Sequence, residues 1–275
     1  MGTSGQLLSQ TGGISSRNRA LLEELHRQAR GPFTVSDAAL MLNVDVAHAR
    51  RLVRYFAERG WLARARRGLY VTVPLDAGRS GEWTEDPWVL AQKSFSPCYI
   101  GGWSACEHWG FTDQVFREVL VLTVLRVRRR SVVLQSQPIQ LRGIKKSMMF
   151  GTQGVWRGLT KVEVSDPTRT MVDVLRDPGL GGGMRHVAEV LRQYFESEHR
   201  DDQRLIEYGD AVNNRALFKR LGYLLDALGI SADDLKAACR SRISAGITAL
   251  DPTSTVRGTI SRRWNLRINA DVTTS

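Results

Sequence analysis

Only three residues, Asn43, Val44 and Asp45, separate two stretches of helical patterning, and that spacing constrains the N-terminal part of the chain more than any other feature. Before them, Thr34-Val35-Ser36-Asp37 has the form of a capping box and leads Ala38, Ala39, Leu40 and Leu42 into a short helix. After them, Asp45 is placed to cap a helix over 46–59. Its inward stripe is Ala49, Leu52, Val53 and Phe56, with His48, Arg50, Arg51, Arg54 and Tyr55 on other faces. Gly60 suits the end of that helix, because glycine takes the left-handed conformation without a Cβ penalty. An earlier helix is expected over 17–28, where Leu21, Leu22 and Leu25 recur at helical spacing before Gly31-Pro32. Past Gly60, residues 61–65 and 69–73 alternate like strands around Arg66-Arg67-Gly68, a hairpin signal.

Helix, short helix, three-residue turn, basic helix and basic hairpin, in that order, make a winged helix-turn-helix over 16–75. An α-helix fits the DNA major groove, and its exposed N-terminal residues reach base edges. On this reading His48, Arg50, Arg51 and Arg54 are the DNA-binding candidates of the helix, with Arg51 and Arg54 foremost. Arg64, Arg66 and Arg67 on the hairpin are placed for phosphate or minor-groove contact. Trp61 and Tyr70 read as packing between hairpin and helix.

The charge distribution agrees. The 275 residues carry 39 Lys+Arg against 28 Asp+Glu, a net charge of +11. The first 75 residues hold eleven Arg and five acids, a net +6, so the remaining 200 carry +5 at about a third of the density. A basic excess points to nucleic acid or an anionic membrane, and its concentration on one helix and one hairpin tip favours a DNA groove over lipid. The longest apolar run, 119–125, is broken by Thr123 and too short to span a bilayer. Residues 1–15 read as a flexible polar tail without the apolar segment of a secretory signal. Cys98, Cys106 and Cys239 show no C-x-x-C spacing and suit a reducing cytoplasm.

Residues 74–83 read as a linker, and 84–270 as a second, larger domain. A mixed sheet is expected over about 84–165 and a helical portion over about 166–270, giving an α+β chain overall. Asp86-Pro87 and Asp166-Pro167 each combine a cap with proline at the first helical position. Short strands are expected at 119–125, 131–135, 139–141 and 160–164, with a last one at 264–269 closing the domain. Further helices are expected at 104–109 and near 184–199, 201–208, 214–228 and 231–241. Arg126-Val127-Arg128-Arg129-Arg130 lies between two apolar strands and reads as an exposed hairpin tip. With Lys145 and Lys146 it offers a secondary contact to DNA or to an acidic partner.

Chemistry is sparse in this second part. Gly181-Gly182-Gly183 precedes a helix but lacks the P-loop frame, and reads as an ordinary helix entry. Cys106 and His108, two residues apart on a helix, diverge, and His and Cys nowhere take metal-ligand spacing. Asp166 and Asp173 share one helical segment, with Asp166 better explained as its cap. No catalytic residue, metal or cofactor is expected, and the chain reads as a non-enzyme. Trp88, Trp103 and Trp109 would line a pocket in a ligand-responsive repressor, but core packing explains them more simply. A nucleic-acid-processing enzyme that uses the winged helix for delivery is the other alternative.

Several longer tokens occur in a fixed order: Gly102-Trp103-Ser104-Ala105-Cys106-Glu107-His108-Trp109-Gly110-Phe111, then Val164-Ser165-Asp166-Pro167-Thr168-Arg169-Thr170-Met171-Val172-Asp173 and the 178–183 loop. Lys219-Arg220-Leu221-Gly222-Tyr223-Leu224, Leu250-Asp251-Pro252 and Arg263-Trp264-Asn265-Leu266-Arg267-Ile268-Asn269 follow. Together with the N-terminal winged helix these resemble the AbiEi-type antitoxins, partners of nucleotidyltransferase-like toxins in bacterial abortive-infection toxin–antitoxin systems. The resemblance runs from about 17 to 270. It implies a cytoplasmic repressor of its own operon, binding inverted repeats in double-stranded DNA and acting in phage defence. Its C-terminal domain would counteract the toxin, with or without direct contact, and the basic residues of that domain would assist DNA binding.

Overall fold

The computed structural model describes residues 14–74 and 83–273, so most of the tail expected over 1–15 and of the linker expected over 74–83 lies outside the described residues. The chain divides into two compact units that meet between Glu85 and Asp86, and its class is α+β.

The first unit runs α1 (Ser16–Gln28), β1 (Phe33–Thr34), α2 (Val35–Met41), α3 (Val46–Glu58), β2 (Leu62–Arg66) and β3 (Leu69–Thr72). Each helix starts where a short polar side chain can accept an orphan N–H. The Ser15 hydroxyl accepts from the Asn18 N–H at 3.3 Å. Thr34 and Asp37 form the reciprocal capping box, at 2.9 and 3.2 Å. The Asp45 carboxylate accepts from the His48 N–H at 2.8 Å. Asn43, at φ +50°, makes the sharp reversal between α2 and α3 in the left-handed region that asparagine tolerates. Leu22, Leu25, Phe33, Ala38, Leu52, Val53, Phe56 and Leu62 fill the core between the helices and the sheet. The inward stripe of α3 is buried at all four positions, whereas Leu40 of α2 stands 82% exposed. Strand β1 pairs with β3 (Phe33 opposite Tyr70), making a three-stranded sheet of order β1-β3-β2. Two residues carry no periodicity, so β1 is invisible in the sequence beneath the capping box that overlaps it.

The second unit contains α4 (Pro87–Phe95), β4 (Cys98–Ile100), α5 (Trp103–His108), β5 (Val119–Thr123), β6 (Ser131–Leu134), β7 (Gln137–Gly143), β8 (Thr152–Arg157) and β9 (Thr160–Ser165). It continues with α6 (Pro167–Arg176), α7 (Met184–Glu196), α8 (Asp202–Ala211), α9 (Arg215–Ala227), α10 (Asp233–Arg242), β10 (Thr248–Ala249), β11 (Thr259–Ser261) and β12 (Leu266–Ile268). The six-stranded sheet has the order β6-β7-β5-β4-β9-β8. Strand β4 is wholly buried and lies between an antiparallel neighbour, β5, and a parallel one, β9. Helices α6, α7 and α9 pack apolar faces together through Val172, Leu175, Val187, Leu191, Leu221 and Leu225, with Trp264 closing one side.

One expectation fails here. Residues 126–130 do not tip a hairpin: β5 pairs in parallel with β7, and β6 with β7 in antiparallel, so 126–130 crosses past the end of β7. Because β7 lies between β5 and β6, the chain has to pass its end to reach the sheet edge. The actual hairpin is β6–β7, turned by Gln135 (φ +44°) and Ser136 (φ +67°). A two-residue turn with both residues left-handed is ordinarily filled by Asn-Gly, so this one gives no sequence signal. The closing strand expected at 264–269 is present. It shortens to β12, which pairs in parallel with β10 and antiparallel with β11 in a separate small sheet.

Candidate nucleic-acid interface

An α-helix advances 100° per residue, so burial of Ala49, Leu52, Val53 and Phe56 sets the opposite face of α3. That face carries Ala47, Arg51, Arg54 and Glu58, spaced i, i+4, i+7 and i+11, with Arg50 beside them, and all five are exposed. His48 is half-buried on the flank, apart from this stripe. Val46, in the first turn, is 46% exposed. The helix therefore presents a small residue at its start, two guanidiniums along its middle and a carboxylate at its end.

Two acids shape this face. Asp45 spends its carboxylate on the backbone, and the hydrogen bond from His48, with the positive charge of Arg51 adding to it, holds its pKa below the ordinary range. Glu58 Oε1 accepts from Arg54 Nε at 2.7 Å, an i,i+4 pair with side chains 80% (Arg54) and 61% (Glu58) exposed. The hydrogen bond and charge of Glu58 raise the Arg54 pKa further.

The hairpin is fixed to α3 by aromatic packing. Tyr55, Phe56 and Trp61 meet at ring-centroid separations of 5.7–6.0 Å, and the Arg59 guanidinium lies 5.5 Å from the centre of the Tyr55 ring. Trp61 and Tyr70 pack against the core of this unit, as the sequence suggests. Arg67 and Gly68 connect β2 to β3, with Gly68 at φ +80°. The register slips between Arg64, opposite Tyr70, and Arg66, opposite Leu69. Ala65 is buried there while Arg64, Arg66 and Arg67 are exposed. Six arginines thus stand on the outer surfaces of one helix and one hairpin.

Residues 19–73 match the family described as transcriptional regulator, AbiEi antitoxin. The AbiEi match runs from α1 through β3 and so includes all of α3 and the hairpin. Over 92% of both chains, the fold is similar to the crystal structure of the RV2827C protein from Mycobacterium tuberculosis, with a TM-score of 0.66 and 16% sequence identity. No curated protein sequence matches the chain.

Outside the AbiEi-matched segment, the motifs that resemble chemistry are occupied structurally. The N-terminus of α7, after Gly182 and Gly183, is filled by Asp251, whose carboxylate accepts from the Met184 N–H at 2.8 Å. Burial acts to raise that carboxyl, but hydrogen bonds from Thr253 and Met184 hold it below the ordinary range. A phosphate there would meet a carboxylate. Asp166 caps α6 through the Arg169 N–H at 2.7 Å. Asp173 is fully buried, 3.2 Å from Arg169 Nη2, and accepts from the Tyr99 hydroxyl at 2.7 Å. The same hydroxyl accepts from Arg169 Nη2 at 3.0 Å, and the Arg169 guanidinium lies 4.2 Å from the centre of the Phe150 ring. This cluster ties β4 to α6.

Cys106 is fully buried, and burial pushes its thiol far up; His108 packs edge-on to Trp88 and Trp109 at 5.4 and 4.6 Å. The three tryptophans make separate contacts. Trp88 packs under Arg157, Trp103 stacks on Phe116 at 5.4 Å, and Trp109 donates to the Ser165 carbonyl at 2.8 Å. Trp109 also borders a polar depression of about 480 Å³ with Asp166, His199 and Asp201. Among the described residues no three His, Cys, Asp or Glu side chains gather as a metal site, and no helix is long and apolar enough to cross a membrane.

The second basic group is assembled by the sheet. Thr123, at the end of β5, lies opposite Gly143, at the end of β7, and the Ile144 N–H donates to the Thr123 carbonyl at 2.8 Å. Arg126, Arg128, Arg129, Arg130, Lys145 and Lys146 therefore leave the sheet from the same end, and all six are exposed. Sequence reasoning missed Ala47 and Glu58. A wheel drawn on α3 places both on the arginine stripe.

Proposed function

We propose that this chain is a sequence-specific DNA-binding regulator of the AbiEi antitoxin type that represses its own operon. The observation that carries the reading is the exposed stripe of α3, with Arg50, Arg51 and Arg54 opposite the buried stripe. In this reading the first unit is a winged helix-turn-helix: α3 enters the major groove, and the β2–β3 hairpin is the wing. Arg64, Arg66 and Arg67 hold phosphates, Arg50 and Arg51 reach base edges or phosphates, and His48 sits at the groove margin. The basic end of the larger sheet, Arg126 to Arg130 with Lys145 and Lys146, supplies a second phosphate contact. The larger unit counteracts a nucleotidyltransferase-like toxin encoded beside it. The AbiEi family match supports the regulator and antitoxin assignment.

The test is selection of duplexes from a random-sequence library with the full chain, followed by fluorescence anisotropy on the selected duplex and on scrambled DNA. Enrichment of an inverted repeat, and titration into the chain's own upstream DNA at that repeat, is the expected result. Absence of any enriched sequence overturns the repressor reading. Arg128→Ala/Arg129→Ala/Arg130→Ala is expected to weaken binding to all duplexes alike. Co-expression with the neighbouring gene tests the second half: the full chain should restore growth, and a chain ending at residue 75 should not.

A further inference from the structure

We infer that Glu58 is a positioning residue that presets Arg54 to read a guanine. This rests on the DNA-binding reading of α3 and assigns a specificity device within it.

The starting point is an acid in an unfavourable place. The first unit has five acids among its first 75 residues, and three have other work. Asp37 and Asp45 cap helices, and Glu24 bonds Arg27 and Gln28 within α1. Glu58 lies on the outward stripe of α3, in line with Ala47, Arg51 and Arg54, where a carboxylate would repel phosphate. A stripe built only to hold the DNA backbone gains nothing from it.

The geometry shows what it can gain. Glu58 Oε1 takes the Nε–H of Arg54 at 2.7 Å, a short, charge-assisted bond. Of the five guanidinium N–H donors this uses one and leaves the four on Nη1 and Nη2. Those two nitrogens form the fork that meets O6 and N7 of guanine. An unpaired arginine on an exposed helix samples many rotamers and takes phosphates readily as well as bases. Holding Nε fixes the plane and direction of the fork before binding, and the adjacent negative charge penalises the phosphate alternative. Discrimination rises and general affinity falls. Arg50 and Arg51, with no carboxylate four residues on, keep the freedom suited to backbone contact or adaptive readout.

The experiment uses the full chain, the selected duplex and its single base-pair variants. Arg54→Ala first locates the base pair whose guanine preference disappears. Glu58→Ala is then expected to reduce guanine preference at that same base pair by about 2- to 10-fold, the value of holding one long side chain in place. It should tighten binding to scrambled DNA. In the Arg54→Ala background Glu58→Ala should have no further effect on that preference. Glu58→Gln keeps an acceptor without the charge and is expected to restore part of the lost discrimination. Equal tightening on every duplex with preference unchanged, the same for Glu58→Ala and Glu58→Gln, makes Glu58 a simple repulsive charge and overturns the inference. Loss of preference at a different base pair makes Glu58 itself the reader and also overturns it. Failure to enrich any sequence refutes the DNA-binding reading instead, so the two failures are separable.

Discussion

The steepness with which salt weakens binding follows from the number of guanidiniums on the proposed surface. Arg50, Arg51, Arg64, Arg66 and Arg67 are exposed there, and Arg54 is set aside as the guanine reader held by Glu58. If one or none of the five reads a base instead of a phosphate, each bound copy neutralises about four to five phosphates. Counterion release then gives a slope of log affinity against log salt of about −3.6 to −4.5. Between 50 and 200 mM salt, affinity should fall about 150- to 500-fold per copy. A duplex that binds two copies through an inverted repeat should show twice that slope. The assay is fluorescence anisotropy over a salt series, on the selected duplex and on scrambled DNA. Arg66→Ala/Arg67→Ala should flatten the slope by about 1.8 and weaken both duplexes equally, because a hairpin on phosphates carries no sequence information. A wild-type slope shallower than about −2, or one untouched by the double substitution, would refute the assignment of the hairpin to the backbone. A slope steeper by several units per bound copy would place the Arg126–Arg130 end on the same DNA.

Four further outcomes test the fold of the larger unit. Asp173→Ala leaves Arg169 buried without its counter-charge and should destabilise the larger unit by about 3–5 kcal/mol in urea denaturation. Ser136→Gly relieves one left-handed residue of the β6–β7 turn and should raise stability by about 1 kcal/mol in the same assay. Gly222→Ala puts a methyl group where the Trp264 ring already lies against α9, and should lower stability by about 1–3 kcal/mol by overpacking. Because the Asp251 carboxyl is held below its ordinary value in the folded chain, its contribution is complete above the unfolded pKa of about 3.9. That contribution is lost as pH falls through the lower folded value. Asp251→Asn should therefore cost stability at pH 7, and the gap to wild type should close below about pH 4. A gap independent of pH would contradict the capping role.

What was legible early follows from what local sequence can encode. Thr34 and Asp45 read as caps because their side chains bond N–H groups three residues on, so those starts are written within four residues; Ser15 caps α1 in the same way, although the sequence reading leaves it in the tail. The α3 stripe is likewise a matter of spacing alone, as is the Arg66-Arg67-Gly68 turn. The larger unit resisted because its decisive contacts are distant in sequence. Strand β4 has three residues and takes its place from partners at 119–123 and near 164. Arg169 and Asp173 look like an exposed helical ion pair until Tyr99, seventy residues away, is brought against them.

The cap-limited helices, the concentration of positive charge in the first 75 residues and the arginines that carry it are encoded locally, because they depend on neighbours within one or two helical turns. Tertiary structure alone decided that 126–130 crosses β7 to join Lys145 and Lys146 at one sheet end, and that Asp251 fills the N-terminus of α7. Strand order and long-range capping are settled by which buried surfaces and backbone groups find partners. That is a property of the whole packed chain, so no local window contains it.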